Sequence, residues 1–92
     1  MVKTLRNRGE APKVYFWRTS AGIEVDFIVD LGVKLIPIEV KLSATPIPSM
    51  AGGIIAFRKD IGKKAHQGYV VHPGDVLLPL GERITALPFS AL

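Results

Sequence analysis

Residues 22–41 read GIEVDFIVDLGVKLIPIEVK, and this stretch decides the fold. Apolar residues alternate with the rest from Ile23 to Leu31 and again from Lys34 to Leu42, the period-2 pattern of two strands. Between them, Gly32 followed by Val33 suits a two-residue type II′ loop with glycine at its first position. Leu31 then faces Lys34. Counting back from that pair, Phe27 stands opposite Ile38, Asp26 opposite Glu39, Val25 opposite Val40 and Glu24 opposite Lys41. One face of the hairpin is apolar (Val25, Phe27, Val29, Ile36, Ile38, Val40), and the other carries Glu24, Asp26, Glu39 and Lys41. A slip of one residue would mix the two faces.

Residues directly opposed across two strands have Cβ atoms about 4.5–5.5 Å apart, so Asp26 and Glu39 repel unless something neutralises them. Lys41 lies two residues beyond Glu39 on the same face and offsets part of that charge. A divalent cation offsets more, because carboxylate oxygens are the ligands that Mg²⁺ and Mn²⁺ prefer. Such a cation can also bind a phosphate oxygen and acidify a water, with the Lys41 ammonium placed to orient that water or meet developing negative charge. The competing reading is a solvated sheet face, with Glu24 paired to Lys41 and Asp26 to a nearby Lys or Arg.

Outward from the hairpin, VYFWR (Val14–Arg18) is aromatic and β-branched, a third strand joined through the turn TSAG (Thr19–Gly22). The three strands form an antiparallel meander. Pro37 has no amide proton, so its strand is an edge there or directs the missing donor away from its neighbour. After the connector SATPIPS, with Ser49 as N-cap, the spacing of Met50, Ile54, Phe57 and Ile61 predicts an amphipathic helix stopped by Gly62. Gly52 and Gly53 weaken its first turns by roughly 1 kcal/mol each, which is tolerated where a backbone packs close to a sheet or ligand. GYVVH (Gly68–His72) is an apolar strand, and DVLLPL and RITALPF supply short extended segments. A strand that crosses by a helix and returns as an apolar strand gives an α/β fold with a mixed sheet. Upstream, Met1–Arg8 reads as the tail of a truncated N-terminal helix, so the chain divides into residues 1–12, tail and loop, and residues 13–92, the α/β domain.

The chain has 92 residues, enough for one domain, and its 48% hydrophobic and 22% charged residues are those of a globular protein. With no cysteine there are no disulfides, thiolate metal sites or cysteine nucleophile. The net charge of +4 favours polyanionic partners. No apolar run approaches the roughly 18 residues of a membrane span and no signal-peptide core is present, so the expected location is the cytoplasm. Tyr15, Phe16 and Trp17 alternate within a strand, which puts some of them in the core rather than under bases. His66 and His72 lack ligand spacing, His72 reading as a turn residue, and Arg58, Lys59, Lys63 and Lys64 form a basic corner.

Asp26 followed about a dozen residues later by Glu39-Val40-Lys41, on antiparallel strands before a helix and an apolar strand, resembles the PD-(D/E)xK nuclease superfamily with its restriction-endonuclease-like core. YFWRTSAGIEVDFIV, LIPIEVKLSATP, GIIAFRKD, VVHPGD and ITALPFSAL, in this order, are similar to the domain that ends many prokaryotic AAA-type ATPases. The resemblance implies Asp26 and Glu39 as metal-binding carboxylates for Mg or Mn, the Val40 carbonyl as a further metal ligand and Lys41 as the catalytic lysine. It implies an ATPase module in the parent protein and DNA or RNA as substrate. An acidic residue from the first core helix commonly completes such a site, and Met1–Arg8 contains none; Glu10 falls in the loop. The chain has no GxxxxGK[ST] loop and is not expected to hydrolyse ATP. Three readings follow: a metal-dependent phosphodiesterase, a nucleic-acid or protein-binding module that has lost cleavage, and a structural domain whose charges form an ion-pair network.

Overall fold

A computed structural model describes residues 13–43 and 45–91. The expected helix tail Met1–Arg8, together with Glu10, lies outside the described residues. Six strands form one mixed sheet: β1 (Lys13–Arg18), β2 (Glu24–Asp30), β3 (Leu35–Val40), β4 (Gly68–His72), β5 (Leu78–Gly81) and β6 (Ile84–Pro88), in the order β1-β2-β3-β4-β6-β5. β1, β2 and β3 form the antiparallel meander, β4 joins β3 in parallel, β6 joins β4 in parallel, and β5 closes the far edge antiparallel to β6. The crossover from β3 to β4 carries the helix α1 (Gly52–Ile61). The α/β class and mixed sheet read from the alternation are therefore the observed ones. No helix among the described residues is long and apolar enough to cross a membrane.

The hairpin register is the one the two-residue loop requires. Leu31 N–H donates to the Lys34 carbonyl at 3.0 Å, Gly32 has a φ of 85°, and Phe27 pairs with Ile38 and Val29 with Ile36. The Asp30 carboxylate accepts from Gly32 N–H at 2.8 Å and stiffens the turn. Pro37 sits in an interior strand, opposite Ile28 and fully buried. Hydrogen-bonded and non-hydrogen-bonded pairs alternate in an antiparallel ladder, so with Leu31 and Lys34 bonded, Ile28 and Pro37 form a non-bonded pair. The donor that Pro37 lacks is thus one that β2 never needed.

Three features differ from the sequence reading. The face expected to be polar also carries Ile28, Leu35 and Pro37, all buried, with Ile28 and Leu35 packed against Phe57 of α1, whereas Phe27 on the expected apolar face is 47% exposed. Tyr15 pairs with Ile28 and Trp17 with Val25, so Asp26 and Phe27 together face the single residue Phe16, a β-bulge in β2. The extra residue moves Val25 off the face of Phe27 and Val29, and it packs instead with Ile28, Leu35, Ala65 and Phe57 under α1. Helical structure also begins earlier than Ser49. A 3-10 turn over Pro48–Ala51 precedes α1, with Ile47 as its N-cap and no side-chain cap bond, because Pro48 already has the φ of a first helical residue.

Helix α1 lies on the sheet face that holds Leu35, Pro37 and Glu39. Ile54 is buried with Ala51, Val70, Leu80, Ile84 and Ala86, while Phe57 belongs to the Val25 cluster. Met50 and Ile61 pack at the margins of these clusters, completing the predicted stripe. On the opposite face Val29 and Ile36 are buried among Leu31, Ile38 and Tyr69.

Candidate metal centre

The β2–β3 ladder ends at Phe27 and Ile38, and the next pair closes it with side chains. Asp26 N–H donates to Glu39 Oε1 at 3.3 Å, and Val40 N–H donates to Asp26 Oδ2 at 2.8 Å. Each carboxylate thus caps the partner strand where the strands part. β2 turns toward β1 at the bulge, and β3 turns toward β4, where Lys41 N–H donates to the Val71 carbonyl at 2.9 Å. The splay leaves two carboxylates side by side with Asp26 Oδ1 and Glu39 Oε2 outside these two bonds.

Glu39 is buried, 5% exposed, and Asp26 is partly buried. Burial above all, then the hydrogen bond and the charge of Asp26, push the Glu39 carboxyl up to about 7. The charge of Lys41 and the bond from the Asp26 amide act in the opposite direction. A carboxyl in this state holds a proton or takes a cation, because two ionised carboxylates this close repel each other. Asp26, Glu39 and Lys41 are therefore brought together, and Val40 enters through its amide. Glu24 is not laddered with Lys41, because the β2–β3 pairing ends at Phe27 and Ile38; it is paired in register with Arg18 on β1 and is exposed. The expected square reduces to a carboxylate pair with one lysine beside it.

Gly53 in the first turn of α1 faces Glu39 of this pair and the backbone of Glu24. A Cβ at Gly53 would lie 2.5 Å from the Glu24 carbonyl oxygen and 3.0 Å from Glu39 Oε2, so only glycine lets the helix approach. The pair Gly52-Gly53 was the signal for close packing; which of the two is in contact depended on the helix's rotation. At Gly52 a Cβ would meet nothing within 4 Å.

The donor set fits a hard divalent cation of the Mg²⁺ type, which commonly uses one or two carboxylates and keeps several waters. Among the described residues no group of three or more His, Cys, Asp or Glu side chains is arranged to hold a metal.

The pattern described as "Domain of unknown function (DUF4143)" matches residues 1–92. The chain belongs to this family. No curated protein and no solved structure matches it. In this DUF4143 domain Trp17, His72 and Arg58 have structural roles, whereas Tyr15 and Phe16 are exposed. Trp17 packs edge-on against Phe57, with ring centroids 5.3 Å apart. His72, expected as a turn residue, is instead the fully buried last residue of β4, paired with Pro88 on β6; its ring braces the turn that follows, Nδ1 accepting from Gly74 N–H at 3.1 Å and Nε2 therefore donating to the Val76 carbonyl at 2.8 Å. Arg58 leaves the basic corner: its guanidinium donates to the carbonyls of Glu82 and Arg83 and, at 3.4 Å, to that of His66. It fixes the β5–β6 turn, where Arg83 has a φ of 55°. No sequence pattern marks Arg58, since its partners are backbone atoms 24 and 25 residues away.

Proposed function

We propose that this domain binds Mg²⁺ or Mn²⁺ between Asp26 and Glu39 and acts on the phosphodiester backbone of nucleic acid, as a nuclease-like module of an AAA-type ATPase. The observation that carries the reading is the carboxylate pair itself, in which a buried Glu39 is raised to about 7 beside Asp26 with Lys41 acting on it electrostatically. Ion pairs on a solvated face do not account for a carboxylate that is 5% exposed.

A bound divalent cation supplies Lewis acidity toward a phosphate oxygen and a more acidic water. Asp26 and Glu39 hold it, and the Val40 carbonyl is the further ligand that the nuclease resemblance implies. The two backbone bonds fix the carboxylates before substrate arrives, which limits the reorganisation needed during reaction. Lys41 meets negative charge that builds up on the phosphate and orients the attacking water.

A binding module without cleavage is the second reading, supported by the net charge of +4, which attracts polyanions whether or not a metal is bound. Titration with Mn²⁺, followed by electron paramagnetic resonance, and incubation of labelled DNA and RNA with Mg²⁺ separate the two. Saturable Mn²⁺ binding lost in Asp26→Ala, with cleavage lost in Lys41→Ala, supports catalysis. Salt-sensitive nucleic-acid binding without cleavage supports the module. Absence of Mn²⁺ binding at millimolar concentration removes the metal reading.

A further inference from the structure

We infer that Gly53 is a positioning residue for the Glu39 carboxylate: the notch left by its missing side chain sets where Oε2 lies and so keeps Oε1 on the Asp26 amide. The inference deepens the metal reading but rests on it only for its cation measurement. Three observations combine. The Cβ direction at Gly53 points at Glu39 Oε2, 3.0 Å away, and at the Glu24 carbonyl oxygen, 2.5 Å away. Glu24 lies two residues before Asp26 on β2, so α1 touches both strands that carry the carboxylates. Glu39 is buried, which leaves its side chain little room to escape a helix that shifts toward it.

The Glu24 contact is the more severe, because a carbonyl oxygen within a strand cannot rotate aside as a side chain can. Adding a methyl group at Gly53 must move α1 outward or push β2 away, and the Glu39 carboxylate follows whichever wall moves. Glu39 Oε1 then leaves Asp26 N–H, and the alignment of Asp26 Oδ2 with Val40 N–H is altered. At Gly52, in the same turn, a Cβ would meet nothing within 4 Å, so alanine there carries the same helix-propensity change without the contact. It is the internal control.

The experiment compares wild type, Gly53→Ala and Gly52→Ala by amide NMR of the metal-free protein and by Mn²⁺ titration. Gly53→Ala is expected to shift the Asp26 and Val40 amides and weaken Mn²⁺ binding by about tenfold or more, the scale of losses when an outer-shell partner is removed. Gly52→Ala is expected to leave both readouts at their wild-type values. Unchanged Asp26 and Val40 amides in Gly53→Ala overturn the inference, as does an equal change in Gly52→Ala. If wild type binds no Mn²⁺, the metal reading fails and the amide comparison alone decides the role of Gly53. Should Gly53→Ala not fold, wild type still provides the test: Overhauser contacts between the Gly53 α and Glu39 γ protons support the notch, and their absence overturns it.

Discussion

Asp26 and Glu39 exchange hydrogen bonds crosswise, each carboxylate accepting from the backbone of the opposite strand segment, Glu39 Oε1 from Asp26 and Asp26 Oδ2 from Val40. The pair is thus structural as well as charged, and replacing either residue tests two properties separately. Asp26→Asn keeps an acceptor for Val40 and is expected to stay within about 1 kcal/mol of wild type in urea denaturation. Asp26→Ala leaves the Val40 amide without its partner and is expected to cost about 1–3 kcal/mol. Both variants should lose Mn²⁺ affinity, so a variant that is stable yet does not bind isolates the charge.

Glu39 gives the pH dependence. Its folded-state value, about 7, lies above the ordinary 4.5, so the folded protein holds this proton more tightly than the unfolded chain. The stabilising contribution is present in full below about 4.5 and is lost as pH rises through about 7. In metal-free protein this fall is expected to approach roughly 3 kcal/mol at most, from 1.36 kcal/mol per unit. Urea titrations from pH 4 to 8 check it. Glu39→Gln should flatten this component, and saturating Mg²⁺ should reduce it by favouring the ionised carboxylate.

His72 should prove structural. His72→Ala removes two bonds that close the turn after β4 and opens a cavity, with an expected cost of about 2–4 kcal/mol. Mn²⁺ affinity at 25 °C, measured on the folded fraction, should stay at the wild-type value. A selective loss of metal binding would show that His72 belongs to the site.

Arg58→Met keeps much of the side chain's length while removing the donors to the Glu82 and Arg83 carbonyls. The expected loss is about 1–3 kcal/mol, with faster amide exchange concentrated at Arg83 and Ile84. Uniformly faster exchange over the whole sheet would instead mark Arg58 as part of the global core.

The hairpin was legible because two independent signals agree, alternation on both sides and a Gly-Val loop; the expected polar face held only in part, since it also carries buried Ile28, Leu35 and Pro37 and the bulge brings Val25 beneath α1. Helix α1 was legible from Met50, Ile54, Phe57 and Ile61. The bulge was not, since it arises from pairing with β1 and Val25 is equally apolar on either face. The end of the β2–β3 ladder before Glu24 and Lys41 was hidden for the same reason: strand ends are set by their other neighbours, β1 and β4. Arg58 acts through backbone atoms 24 and 25 residues away, whose positions follow only from the assembled sheet, whereas His72 bonds Gly74 and Val76, two and four residues on. In the site, the meeting of Asp26 and Glu39 followed from loop length, whereas the burial of Glu39 required knowing which face α1 covers.

Pro37 gives the carboxylate pair a safeguard. If β3 moved by one residue along β2, Pro37 would occupy the place of Ile36 or Ile38, where a strand residue must donate to β2. The imide nitrogen cannot do so, and its ring would leave the buried face beneath α1. The same displacement would carry Glu39 to the opposite side of the sheet, away from Gly53. A proline two positions before Glu39 therefore acts as an error check on assembly: the misaligned hairpin that would scatter the charged residues is also the one that forfeits a backbone bond.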